Sequence, residues 1–165
     1  MREEQFLGEL LVRHGLLSPE RLESLFALQR EKGASLTSLI VGSNAAEESQ
    51  IAQALAEETG LPLVHKIDVD SIPQAMASHL PITYARSRKV ILTNEDDERA
   101  YIVCADPFDT ETIDDIRALL RKRVEVSVST NEAVTEAINR LYERQVAASS
   151  DLKTDGESEN DDEIV

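Results

Sequence analysis

The 165-residue chain is 41% hydrophobic but only 4% aromatic, so its core must be built mostly from Leu, Ile, Val and Ala. Its formal net charge of −15 argues against nucleic acid or anionic lipid headgroups as general partners, because both select basic surfaces. No apolar run approaches the roughly 20 residues of a membrane span, the N-terminus lacks a signal peptide's apolar stretch, and Cys104 stands alone, so a soluble cytoplasmic protein is expected.

The first segment predicts four helices. Phe6, Leu7, Leu10 and Leu11 form a helical stripe from Glu3 to about His14, and Gly15 sits where a left-handed cap belongs. Ser18-Pro19 is a strong helix start, and the helix it opens carries Leu22, Leu25, Phe26 and Leu28 before stopping at Gly33. Ser35 opens a shorter helix through Val41, and a fourth runs from about Glu47 to Thr59, with Gly60 as its stop. These four are a repeat. Residues 7–29 (LGELLVRHGLLSPERLESLFALQ) recur 29 positions later as residues 36–58, with Leu7 on Leu36, Leu11 on Ile40, Leu22 on Ile51 and Phe26 on Leu55. A helix pair used twice is the reading, because one such pair cannot bury its apolar face alone.

After Gly60 the period changes. Leu61 to Ile67 reads as extended, since Pro62 forbids helix continuation. Gln74 to His79 reads as a short helix ended by Pro81, and Lys89–Thr93 with Ala100–Ala105 as a β-hairpin. Asp109-Thr110 caps a helix with Ile113, Ile116, Leu119 and Leu120 inward. Val124, Val126 and Val128 alternate as a half-buried strand, and Asn131 caps a last helix with Val134, Ile138 and Leu141 inward. The fold class expected is α+β: a four-helix repeat subdomain over residues 1–60, then a small sheet packed with helices in the order β-α-β-β-α-β-α over residues 61–146. Residues 147–165 are expected to be a disordered acidic tail or linker, because seven of the carboxylates stand there against Lys153 alone. That leaves −6 in the last fifteen residues and −9 in the rest.

Catalytic signals are sparse. There is no GxxxxGK[ST] to cradle phosphates, no GxSxG, no HExxH and no CxxC. His14, His65 and His79 lack metal-ligand spacing, so no metal site and no cofactor are expected. Asp106 and Asp109 in the stretch Asp106-Pro107-Phe108-Asp109 could do acid–base work or hold a hard cation, but a rigid turn in which Asp109 caps the next helix accounts for them better. Cys104 lies in an apolar strand and reads as an inert buried thiol. The basic triplets Arg86, Arg88, Lys89 and Arg121, Lys122, Arg123 read as solvated edges or helix ends.

The repeat, together with GLPLV at 60–64, Leu80-Pro81 followed by Ala85-Arg86, ADPFD at 105–109 and AINRLYER at 137–144, resembles a known module. It is similar to the N-terminal regulatory domain of secretion and pilus assembly ATPases of the GspE/PilB type, often called the MshEN domain. The resemblance spans about residues 5–145. It implies a non-catalytic domain that docks a type II secretion or type IV pilus motor onto the cytoplasmic domain of an inner-membrane platform protein, GspL-like in type II systems. The chain would then be cytoplasmic and peripheral to the inner membrane through that partner. Either the ATPase domain follows a linker, or the domain stands alone as an adaptor.

Some members of that family bind cyclic di-GMP through two tandem copies of the repeat. The first copy here keeps Leu7, Gly8, Leu11, Gly15, Leu22, Phe26 and Gln29 of the motif, but Phe6 stands in place of its leading arginine. In the second copy that arginine is Ser35, the glycines are Thr37 and Asn44, and the glutamine is Glu58. Neither Phe6 nor Ser35 offers the cationic fork that an arginine presents to phosphate. Cyclic di-GMP is therefore the alternative ligand, with weak binding or none expected.

Overall fold

The computed structural model describes the backbone from residue 2 to residue 164 and the side chains from residue 4 to residue 147. The fold is α+β. Helices α1 (Arg2–Arg13), α2 (Pro19–Lys32), α3 (Leu36–Gly42) and α4 (Glu48–Thr59) form the first module.

The repeat is visible bond by bond. Leu16 N donates to Leu11 O at 2.9 Å, and 29 residues on, Ala45 N donates to Ile40 O at 3.0 Å. Gly15 N on Val12 O likewise repeats as Asn44 N on Val41 O. Gly15 and Asn44 both take the left-handed conformation, with φ of 75° and 57°. Asparagine tolerates that geometry better than most L residues, which is why the lost glycine leaves the turn intact. Ser18 caps α2 by accepting from Arg21 N at 3.1 Å, and Glu47, its counterpart, closes a capping box with Gln50 on α4. Leu10, Leu11, Leu22, Leu25, Leu36, Ile40, Ile51 and Leu55 form this module's core.

The second module is a three-stranded sheet, β1 (Val90–Glu95), β2 (Arg99–Cys104) and β3 (Arg123–Val128), in that order. The β1–β2 pair is antiparallel, with an irregularity between Leu92 and Asn94, and β2–β3 is parallel across helix α6 (Thr110–Leu120). A parallel neighbour needs such a crossover, whereas the hairpin needs only a turn. In that turn Asp96 Oδ1 accepts from Glu98 N and Arg99 N at 2.8 and 2.7 Å. Helix α7 (Asn131–Ile164) covers the sheet through Val134, Ala137, Ile138 and Leu141. Arg144 ties it to the 3-10 turns Val69–Ser71 and Gln74–Ser78 by donating to Val69 O and Ile72 O at 2.8 and 2.9 Å.

Four expectations need correction. The stretch from Leu61 to Ile67 is not a strand. It makes one parallel bridge, Leu63 to Val128, because Pro62 has no N–H to extend the ladder. Gln74–Ser78 is a 3-10 turn rather than an α-helix. Pro81 ends nothing but opens α5 (Ile82–Arg88), where its fixed φ of −61° suits a helix start. Asn131 is the first residue of α7 and not its cap, since Thr130 Oγ1 accepts from Ala133 N at 3.0 Å. The expected tail over 147–165 falls on residues whose side chains, from 148 on, lie outside the described residues. The backbone of α7 continues as helix to Ile164, and no proline follows Pro107 to stop it.

The two modules share an edge. Val128 ends β3 in the sheet yet packs in the helical core, and its N–H and C=O pair with Pro62 O and Val64 N at 2.9 and 2.8 Å. Ser129 Oγ adds a bond to Val64 O at 2.6 Å.

Candidate functional site

The motif residues divide between packing and a cleft. Gly8 lies where α1 crosses α2, and a Cβ there would meet Leu22 Cδ1 at 2.6 Å and Phe26 Cζ at 3.3 Å. Leu11 and Leu22 are core, and Gly15 makes the turn. Gln29 Nε2 donates to Glu4 Oε2, while Glu4 Oε1 accepts from Leu36 N at 3.3 Å. Glu58, at the position equivalent to Gln29, accepts from Arg13 Nη2 at 3.1 Å and approaches His14 Nε2 at 3.3 Å. The His14 contact is the main reason its carboxyl is held below the ordinary glutamate range. Of the seven motif residues, Leu7 alone reaches the cleft described next.

That cleft, of about 420 Å³, lies between the modules. One wall comes from the helical repeat: Phe6 and Leu7 of α1, Thr37 of α3, and Ile51, Ala52 and Leu55 of α4. The other comes from the C-terminal ends of the parallel strands: Ala105, Asp106 and Phe108 after β2, and Ser129, Thr130 and Asn131 after β3. Phe6 and Phe108 meet edge to face across the modules, with ring centroids 5.0 Å apart at 82°. The carboxylates of Glu4, Glu48 and Asp106 line the same space, and among the described residues no cationic side chain does. Thr37, Ile51 and Leu55 are the 29-residue counterparts of Gly8, Leu22 and Phe26. The first copy therefore closes over a glycine, whereas the second presents the equivalent residues to the cleft. Sequence reasoning counted Thr37 only as a lost glycine and Asn131 only as a helix cap, and did not single out Glu48, Ser129 or Thr130.

The other candidates are absorbed by structure. Asp109 caps α6 through Thr112 N at 3.2 Å and Thr112 Oγ1 at 2.6 Å, and Asp106 Oδ1 accepts from Phe108 N at 3.0 Å. Burial, helped by the Asp106 and Asp109 charges, pushes the Cys104 thiol up to about 12, which leaves almost no thiolate at neutral pH. Arg86 binds Asn139 Oδ1, and Lys89 and Arg121 are left-handed helix caps. Among the described residues no three His, Cys, Asp or Glu side chains are grouped to hold a metal ion.

Glu95, half-buried on the edge strand β1, is paired at both oxygens, with Lys122 Nζ on Oε2 and His79 Nε2 beside Oε1, each at 2.9 Å. The Lys122 bond, then the His79 bond, hold its pKa below the glutamate value of 4.5. A depressed folded-state pKa contributes stability above 4.5 that is lost as pH falls through the folded value. We expect the Glu95 side-chain carboxyl resonance to titrate with a midpoint below 4.5, and Lys122→Met to raise that midpoint. An unshifted midpoint in both proteins would refute the pairing.

Comparison with known proteins now has a geometry to refer to. The chain is 28% identical to the type IV pilus assembly ATPase PilB of Myxococcus xanthus, across 96% of this chain and 30% of that protein. It is 31% identical to PilB of Thermus thermophilus across 82% of this chain and 15% of that one. It is 26% identical to the type II secretion system protein E of Xanthomonas campestris across 98% and 30%. The chain thus spans less than a third of the length of these relatives. Its fold is that of the N-terminal domain of XpsE (TM-score 0.66, 24% identity, 81% of this chain and 92% of that one). It is shared also with a structure of MshE with cdg, cyclic di-GMP (TM-score 0.65, 23% identity, 82% and 98%). The profile of the MshEN domain matches residues 59–148, more than half of the chain, so the chain belongs to the MshEN domain family.

Proposed function

We propose that this chain is a non-catalytic interaction and regulatory domain of a GspE/PilB-type ATPase, which docks the motor onto the cytoplasmic domain of an inner-membrane platform protein. In a type II system that partner is GspL-like. The observation that carries the reading is the fold shared with the N-terminal domain of XpsE over 81% of the chain, beside relatives that are secretion and pilus ATPases. Residues 1–60 and 61–146 act as one docking body, and residues 147–165 serve as a linker. The test is titration calorimetry of the chain against the purified cytoplasmic domain of a GspL-like platform protein from the same organism. A stoichiometric complex is expected, and no heat at high micromolar concentration would reject docking. The pure chain should also turn over no ATP, because it lacks GxxxxGK[ST].

The second reading, a cyclic di-GMP receptor, is favoured by the fold shared with MshE. The chemistry opposes it. Phe6 and Ser35 stand at the motif arginine positions, and the cleft beside Phe6 and Leu7 is lined by Glu4, Glu48 and Asp106. A bond to a charged group contributes about 1.5–3 kcal/mol, so two lost arginines weaken binding roughly a hundredfold or more. We expect no saturable binding of cyclic di-GMP at low micromolar concentration. A low-micromolar dissociation constant that Gln29→Ala abolishes would make the receptor reading the better one.

A further inference from the structure

We propose that the first turn of α1, residues 2–6, is a strap seated over the inter-module cleft, and that it swings off as a unit to give access to the cleft's apolar floor. This goes beyond the docking reading and does not depend on it.

The repeat marks this turn as surplus to the helical module. Helices α2 and α4 start at the same repeat position, Pro19 and Glu48, and α1 and α3 end at the same one, Arg13 and Gly42. The starts of α1 and α3 disagree. Helix α1 has 12 residues and α3 has 7, because α3 begins at Leu36, the counterpart of Leu7. Ser35 caps α3 at the position where α1 runs on through Phe6. The second copy folds without the extra turn, so the repeat core does not require it.

What the turn does instead is bridge. The Phe6 ring meets Phe108, in the loop after β2, edge to face at 5.0 Å. Glu4 accepts from Gln29 Nε2 of α2 with one oxygen and from Leu36 N, at the start of α3, with the other. Glu4 and Phe6 both line the cleft, as does Ala52, which is only 3% exposed. The turn's own anchorage is slight. Gln5 and Phe6 are exposed, whereas Leu10 and Leu11 on the same helix are fully buried. Gly8 stands at the change, and glycine weakens a helix because its backbone has the most freedom to lose. A segment with few buried apolar contacts opens at less free energy than the core. The strap can therefore unwind as far as Gly8 while the Leu10–Leu11 half of the helix stays packed.

The test uses the full chain with fluorine-labelled phenylalanine. Saturation-transfer NMR should show Phe6 and Phe108 visiting a minor state with one common rate and one common population. Gln29→Ala removes a bond to Glu4 from a residue that does not line the cleft, and should raise that population about tenfold, the worth of one bond to a charged group. Glu4→Ala removes the Leu36 bond as well and should raise it further. Access is read separately in Ala52→Cys, by the rate at which a thiol reagent labels the introduced sulfur. Gln29→Ala should speed that labelling by the same factor as it raises the minor population. The natural Cys104, buried in the sheet, should keep its slow rate, which separates strap opening from global unfolding. A chain lacking residues 2–6 should still unfold in one cooperative transition. The proposal is overturned if Phe6 and Phe108 show no exchange or unrelated rates, or if neither Gln29→Ala nor Glu4→Ala changes them. It is equally overturned if labelling at position 52 tracks that of Cys104, or if deleting residues 2–6 unfolds the helical module, which would make the turn part of the core.

Discussion

Gly8→Val should destabilise the fold by about 3 kcal/mol, at the upper end of the usual cost of overpacking. For a chain of this size that lowers Tm by roughly 6–12 °C. The added Cβ would begin 2.6 Å from Leu22 Cδ1 and 3.3 Å from Phe26 Cζ, and the two valine methyls have nowhere to go but into the same crossing of α1 and α2. Gly8→Ala is a useful contrast. Its single methyl meets the mobile end of Leu22, and a helix gains about 1 kcal/mol when glycine becomes alanine. The two effects should nearly cancel. Urea denaturation of the three proteins decides the matter. If Gly8→Val were as stable as the parent, Gly8 would not be a packing residue, and the close approach of a ligand would become its better explanation.

The second large effect is expected at Ile138. It is fully buried on α7 with Val134 and Leu141, against Val90 and Ile102 of the sheet. Ile138→Ala should cost about 3–4 kcal/mol, because the sheet cannot collapse into the space left behind. The loss should also be felt by the helical repeat. Val128 belongs to that repeat's core while sitting in β3, and the Pro62, Val64 and Ser129 bonds hold the same edge. Chemical denaturation followed by backbone and by aromatic signals should therefore trace one coincident transition, shifted to lower denaturant in the variant. Two separated transitions, with only the later residues affected, would show that the modules unfold independently.

Much of the helical repeat was legible because its information is local. Ser18, Pro19, Gly33, Ser35, Glu47 and Gly60 each act on backbone groups within four residues, and all six sit at helix ends where the pattern put them. The hairpin and α6 were legible for the same reason, through the runs at 89–93 and 100–105 and through Asp109. The misreadings came where one residue serves two purposes. Pro81 looks the same whether it ends one turn or opens the next helix, and α5 was lost to that ambiguity. Leu61–Ile67 reads as a strand, but pairing depends on what Val128 has left to offer, and that is settled 60 residues away.

The candidate site was barely legible, and the reason is geometric. Sequence by itself determined the repeat, its caps, the hairpin, α6, β3 and the start of the last helix after residue 60, the missing phosphate-binding loop, and the substitutions at Phe6, Ser35, Thr37, Asn44 and Glu58. It could not tell that Gly8, Leu22 and Phe26 close on one another while Thr37, Ile51 and Leu55 face a cleft, since both sets show the same spacing. Nor could it bring Glu4, Glu48 and Asp106 to one place, because their separations of 44 and 58 residues carry no periodic signal. Only tertiary structure decided these, when the buried Val128 edge set the repeat against the ends of β2 and β3 and made three unrelated carboxylates share one apolar space.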